Sequence, residues 1–132
     1  ARAVLRRVAE PFATDNLAPL AESAAPASRI RKSAARLRDF YADGRKSCLL
    51  DTMSLGLGAA DLAAETRAAM AGWIDAFAAV AREAGLSPAA ARRRAEDAVA
   101  QLEGALVVAR VAGDTRVFQR VIDSLPSTLT AA

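Results

Sequence analysis

Apolar residues recur every three or four positions along most of the chain, and this spacing is typical of helices that bury one face. Glycine, proline and hydroxyl-bearing residues separate these segments at points where helices usually begin or end. The pattern predicts about six helices, with approximate bounds 1–23, 28–44, 48–57, 62–84, 88–112 and 114–125. Pro11 and Pro19 are expected to bend or divide the first helix, and Pro126 to end the last. No two alternating runs are joined by a hairpin turn, so the predicted fold class is all-α, a helical bundle.

The fourth predicted helix has two unlike faces. One face is a stripe at steps of three and four that includes the large apolar residues of the helix: Leu62, Thr66, Ala69, Met70, Trp73, Phe77, Val80 and Ala84. The reverse face carries only small residues, namely Ala68, Ala71, Gly72, Ala76 and Ala79. Since small residues let two helix backbones approach closely, we expect a neighbouring helix against this second face.

The fifth predicted helix opens at Ser87–Pro88, an N-cap followed by proline at the first helical position. It is amphipathic from Arg92 to Glu103, but from Gly104 to Ala112 it is apolar all round except at Arg110. A helix that is apolar all round must be covered on every side. A few short helices of one chain do not easily surround it, so part of the cover is expected from a second chain.

The composition removes several classes of function. The chain has no histidine, which excludes the Ser-His-Asp triad and removes the commonest zinc ligand. Neither the metalloprotease motif nor a Cys-x-x-Cys pair is present, and Gly56–Leu57–Gly58 lacks the rest of a phosphate-binding loop. The sequence therefore predicts no metal site, no cofactor and no enzymatic activity.

Charge and hydropathy bear on partners and location. The formal net charge is +3, which is compatible with DNA nearby but far from that of a dedicated nucleic-acid binder. No apolar run is long enough to span a bilayer and no signal segment opens the chain, so no membrane partner is expected. The one cysteine, Cys48, fits a reducing cytoplasm, and we expect a cytoplasmic protein.

Three stretches of the chain carry patterns that are informative together, namely Asp39–Phe40–Tyr41 with Ser47–Cys48–Leu49–Leu50, Trp73 to Phe77, and Leu102 to Arg110. Together they resemble the C-terminal domain of TetR-family transcription regulators. The first stretch resembles the branch with a Gly-Cys-Leu-Leu signature, with Ser47 in place of glycine. Trp73 to Phe77, followed by Ala84–Gly85–Leu86, resembles the long helix of that branch. Leu102 to Arg110, followed by Gly113–Asp114, resembles its dimerisation helix and the turn behind it.

The resemblance implies a fold and a function. In that family three N-terminal helices hold a helix-turn-helix, and the C-terminal helices form a ligand cavity and a four-helix dimer interface. Residues 1–132 would be a single effector-binding and dimerisation domain, with the DNA-binding head expected upstream of Ala1. The function implied is ligand-responsive transcriptional regulation, most often repression, with DNA contacted only through that head. The expected interface residues are Val99, Leu106, Val107, Arg110, Phe118, Val121, Ile122 and Leu125.

Large apolar side chains of several helices are candidates for an effector pocket between helices. They are Phe40, Tyr41, Leu49, Met53, Leu57, Trp73, Phe77, Leu102 and Leu106. The Tyr41 hydroxyl is expected to orient a small, mostly hydrophobic and aromatic effector through a hydrogen bond. The alternative for all of these residues is an ordinary packed core.

Other interpretations stay open at this point. A ligand-free helical scaffold is one, and an enzyme built on carboxylates such as Asp51 and Glu103 is another. Cys48 is either a redox-sensing thiol or a small buried hydrophobe. The basic run Arg29, Arg31, Lys32, Arg36 and Arg38 is either a phosphate-binding patch or a solvated face. Arg110 either pairs across the dimer or complements its own helix dipole.

Overall fold

The computed structural model describes residues 2–55 and 59–131 as a bundle of six α-helices. They are α1 Arg2–Phe12, α2 Pro26–Phe40, α3 Leu49–Leu55, α4 Ala63–Glu83, α5 Pro88–Ala112 and α6 Arg116–Thr130. Short π- and 3-10-helical segments, Ala13–Leu17, Ala18–Ala21, Ala42–Gly44 and Ala59–Leu62, connect some of them. These residues contain no strand, which confirms the all-α class. None of the helices described is both long and apolar enough to cross a membrane.

The longest helix, α5, is central to the packing and contacts both α4 and α6. Its inward face carries Ala91, Ala95 and Ala98, which are wholly buried, and then Leu102. Because alanine projects little beyond the backbone, neighbouring helices pack closely along this part of α5. α2 closes the bundle against α6, while α1 and α3 lie against α4.

Capping groups fix both ends of α5 and the start of α6. The Ser87 hydroxyl accepts a hydrogen bond from the Ala90 N–H at 3.2 Å, as an N-cap does. Gly113 ends α5 with a left-handed φ of +67°. The Asp114 carboxylate then accepts from the Arg116 N–H at 3.0 Å and supports the start of α6.

Three predicted helix ends are wrong. α2 ends at Phe40 rather than at Gly44, because Ala42, Asp43 and Gly44 all have positive φ. α2 begins at Pro26 rather than behind Ser28, because proline fits the first helical turn, where its missing N–H is not needed. α6 continues through Pro126 to Thr130. Leu125 and Leu129 on either side of the proline are buried, and their burial offsets the one backbone hydrogen bond that proline removes.

A tight turn between α2 and α3 fixes the position of α6. Ala42, Asp43 and Gly44 all have positive φ, with Gly44 at +99°. The Asp43 carboxylate accepts a hydrogen bond from Gln119 Nε2 at 2.8 Å. Gly44 is buried under Phe118, and a Cβ added at Gly44 would lie 2.9 Å from the Phe118 Cβ. The turn therefore packs directly onto α6.

Candidate functional site

A partly open cavity of about 260 Å³ lies where α1, α2, α3 and α4 meet. Its lining residues are Phe12, Ala13, Leu17, Phe40, Tyr41, Cys48, Leu49, Leu50, Ala68, Ala69, Gly72 and Trp73. None of these lining residues carries a charge. A cavity of about 150 Å³ already holds benzene, so this one has room for a bicyclic aromatic molecule.

The structure brings together four of the nine candidate pocket residues. Phe40, Tyr41, Leu49 and Trp73 line the cavity. The other described candidates, Phe77, Leu102 and Leu106, are buried in the core and are not among the lining residues. Leu57 and the side chain of Met53 lie outside the part of the chain that the structure describes.

Phe12 also lines the cavity, although it is not among the predicted pocket residues. Its ring lies 5.2 Å from that of Phe40 and 5.1 Å from that of Trp73, both edge to face. Aromatic rings favour this geometry because the positive edge of one meets the negative face of the other. Phe12 thus fixes the end of α1 against α2 and α4. Its apolar position at the predicted bend after Pro11 was the only local signal.

The small residues of α4 have a role different from the predicted one. Ala68 and Gly72 are exposed, and a Cβ added at Gly72 would meet no atom within 4 Å. The expectation of a closely packed helix at Gly72 is therefore wrong. Instead, Ala68, Ala69 and Gly72 line one side of the cavity and leave room there that larger side chains would fill.

One polar cluster adjoins the cavity. The Tyr41 hydroxyl donates to Cys48 Sγ at 3.7 Å. Burial, and then the Glu103 carboxylate, raise the pKa of the Cys48 thiol to about 11, and burial raises the pKa of Tyr41 far above its usual range. Both groups stay neutral at physiological pH. Because reactivity of a thiol requires its thiolate form, the environment of Cys48 favours the buried hydrophobe over the redox sensor.

Glu103 is the charged member of that neighbourhood, and its charge should destabilise the fold. Burial raises the pKa of its carboxyl above the ordinary 4.5, although the nearby Cys48 acts in the opposite direction. The folded state thus holds the proton more tightly than the unfolded state, so stability falls as pH rises through 4.5 and above. Glu103→Gln should raise the melting temperature at neutral pH and flatten this decline.

The measurement is thermal unfolding of both proteins between pH 4 and pH 8. Asp97→Asn, on an exposed position of the same helix, is the matched control and should leave the pH profile unchanged. A Glu103→Gln profile that runs parallel to the wild type would contradict the interpretation.

The carboxylates named for the enzyme alternative do lie near one another. Asp51 and Glu103 both line a separate groove with Arg67, and the charge of Asp51 adds to the raised pKa of Glu103. The groove is open to solvent, and its lining also includes the basic side chain of Arg67. Within residues 2–55 and 59–131, no group of three acidic or cysteine side chains is placed to hold a metal ion.

The basic run of α2 is used largely within the chain. Arg29 is buried and donates to the Leu20 carbonyl at 2.9 Å and to Glu83 at 2.8 Å. Three further residues are paired as follows: Lys32 with Glu22, Arg36 with the Asp15 carbonyl, and Arg38 with Asp123. These bonds favour a structural role for the run over a phosphate-binding patch.

The candidate interface residues fall into two groups. Val99, Leu106, Phe118, Ile122 and Leu125 each expose less than 5% of their surface and belong to the chain's own core.

The remaining candidates reach the surface. Val107 is 40% exposed, Val121 is partly exposed, and Arg110 donates to the Ser47 hydroxyl at 2.6 Å. Val108 and Val111, which were not singled out, are 45% and 79% exposed. The valine stripe Val107, Val108 and Val111 is the largest apolar feature on the surface of α5.

The chain matches a known protein family. A family model described as the C-terminal domain of LmrA/YxaF-like transcriptional regulators matches residues 22–124. The matched range contains all of α2 to α5, and with them every cavity-lining residue except those of α1 and the segment after it. No curated protein and no solved structure matches the chain.

Proposed function

This chain belongs to the LmrA/YxaF-like C-terminal domains of TetR-family transcriptional regulators, and from that premise we propose that it binds a small effector and dimerises as part of a ligand-responsive repressor. The effector is a mostly hydrophobic, aromatic molecule. Its binding changes the arrangement of the helices and thereby the DNA affinity of the whole regulator.

The observation that carries the proposal is the apolar cavity between α1, α2, α3 and α4. Its wall includes the rings of Phe12, Phe40, Tyr41 and Trp73, which suit the flat faces of an aromatic ligand. Family membership and the cavity support each other, since ligand sites in helical bundles lie between helices. A scaffold with a dry, filled core would have no such space.

The cavity's position suggests how binding would be transmitted. A ligand touching Phe12 and Trp73 touches both α1 and α4, and α4 packs along α5, which carries the valine stripe. If the ligand binds one arrangement of these helices more tightly, it shifts the equilibrium towards that arrangement. Two protomers joined through α5 and α6 would then change the spacing of the elements attached to α1.

Occupation of the cavity is measurable through Trp73, the only tryptophan of the chain. Naphthalene and tetralin, both bicyclic, should change the Trp73 emission and raise the melting temperature. By mass action the stabilisation is about 2.7 kcal/mol at a ligand concentration one hundred times the dissociation constant. Filling the cavity with Ala69→Phe should abolish both responses.

Ala64→Phe is the matched control, because Ala64 is an exposed residue of α4 outside the cavity lining. This variant should keep the wild-type response to both compounds. If neither compound alters the emission or the melting temperature of the wild type, the cavity is not an effector site and the scaffold interpretation is favoured.

A further inference from the structure

Trp73 presents a polar group that the protein does not use. The side chain is 99% buried within the core and lines the cavity. Its indole N–H is buried as well, and no described protein atom accepts a hydrogen bond from it. An indole N–H only donates, and leaving a buried donor without an acceptor destabilises the state in which it occurs. A molecule that brings an acceptor to this N–H would relieve that cost.

A second donor of the same wall is held only weakly. The Tyr41 hydroxyl donates to Cys48 Sγ at 3.7 Å, and sulfur is a weak acceptor. The Phe12 ring lies 5.1 Å from the Trp73 ring and 6.4 Å from the Tyr41 ring, so the two rings that carry these donors both lie beside Phe12 in the cavity wall. The wall therefore offers donors to a ligand, and Tyr41 stays protonated because burial raises its pKa.

The charge of the ligand is restricted by the same lining. None of the twelve residues of the cavity wall is charged, and the Cys48 thiol is neutral. A carboxylate or an ammonium group would lose its hydration without gaining a counter-ion, which is strongly unfavourable. A neutral acceptor, such as a ketone or lactone carbonyl, carries a much smaller cost.

We infer that the cavity selects neutral aromatic ligands that carry a carbonyl acceptor, which accepts a hydrogen bond from the indole N–H of Trp73. The inference rests on the proposed effector site and specifies its ligand class. The indole N–H is covered by neighbouring atoms, so the ring must turn slightly for the bond to form. This movement would displace the Trp73 ring relative to the Phe12 and Phe77 rings, which lie 5.1 and 6.2 Å from it.

A matched pair of ligands tests the inference. Tetralin and α-tetralone have the same bicyclic frame, and only the ketone carries an acceptor. Calorimetry gives the ratio of their dissociation constants for the wild type and for Trp73→Phe, which keeps a ring but removes the N–H. Differences in ligand hydration cancel when the two ratios are compared. We expect the relative preference for the ketone to fall about fivefold to tenfold in Trp73→Phe.

Further measurements keep the test decisive if Trp73→Phe folds poorly. In the wild type, the carbonyl stretching band of bound α-tetralone should lie at a lower frequency than in a hydrocarbon solvent, because it accepts a hydrogen bond. Tyr41→Phe should leave most of this shift in place. Naphthoate, a carboxylate of similar size, should not bind.

The outcomes separate the two levels of the proposal. If neither tetralin nor α-tetralone binds the wild type, the effector site itself is wrong and this inference falls with it. If both bind but the ratio is unchanged by Trp73→Phe, or the carbonyl band is unshifted, the site stands and the role of the indole N–H is overturned. Tight binding of naphthoate would overturn the restriction to neutral ligands.

Discussion

Gly44→Ala should lower the free energy of unfolding by about 3 kcal/mol, from a backbone contribution and a steric contribution of comparable size. Gly44 has a φ of +99°, a conformation that a residue with a Cβ adopts only under strain. The added Cβ would lie 2.9 Å from the Phe118 Cβ. Since the Phe118 Cβ is fixed by the backbone of α6, no change of rotamer relieves the contact, and α6 itself must move.

Gly85→Ala is the matched control for this prediction. Its φ of +108° imposes a similar backbone strain, but a Cβ there would meet nothing within 4 Å. Urea unfolding of both variants separates the two contributions, and Gly85→Ala should lose only about 1–2 kcal/mol. Equal losses in the two variants would mean that the turn does not pack on α6 as described.

The Gly44→Ala substitution should also affect the cavity, because the turn that contains Gly44 begins beside Tyr41. The Tyr41 ring contacts the Phe118 ring at 6.1 Å, and both are buried. A displacement of α6 caused by Gly44→Ala therefore acts on one wall of the cavity. The same contacts connect the cavity to α6, the helix that joins α5 at the proposed dimer interface.

Local sequence signals were sufficient to predict most of the helices. α5 could be bounded from sequence because Ser87, Pro88 and Gly113 each act within a few residues of the chain. The end of α6 could not be predicted from the sequence. The helix continues past Pro126 because this buries Leu129, and the burial of Leu129 depends on other helices. Proline is a local signal, but tertiary packing decides whether it ends a helix.

The cavity was predictable only in part. Phe40, Tyr41, Leu49 and Trp73 belong to apolar stripes and to the family-like segments, so the sequence pointed to them. Phe12 joins them through a contact between α1 and α4, residues far apart in the chain, which no periodicity reveals. The ion pair between the buried Arg29 and the exposed Glu83 could not be predicted for the same reason, because a basic run looks like a solvated face until its partners are known.

The sequence pattern pointed to the segment from Gly104 to Ala112 for the dimer contact, but not to the face of this segment that its own chain leaves exposed. An all-round apolar helix indicates that something covers every side, yet it does not show which side its own chain covers. The bundle buries Ala105, Leu106 and Ala109 and exposes the valine stripe. A charge at Leu106, one of the interface residues that the resemblance implies, would therefore disrupt the core of the single chain.

Val111→Glu should convert the proposed dimer into a monomer and weaken association at least about 100-fold. Val111 is 79% exposed and follows Gly104, Val107 and Val108 at helical spacing along one face of α5. A two-fold symmetric interface on this face would bury the stripe of both protomers. In a two-fold symmetric dimer, Val111→Glu then places two carboxylates, one from each protomer, in an apolar contact where neither has a counter-ion.

Light scattering behind size-exclusion chromatography at micromolar concentration measures the effect directly. The wild type and Ala35→Glu, a charge on an exposed residue of α2, should both have the mass of a dimer, and Val111→Glu that of a monomer. Because Val111 contributes little to the core of its own chain, the monomeric variant should keep its melting temperature at low protein concentration. If Val111→Glu is still a dimer, the dimer interface does not lie on this face of α5. If the wild type is a monomer, the valine stripe is not a dimer interface. A ligand in the cavity would then act within a single chain.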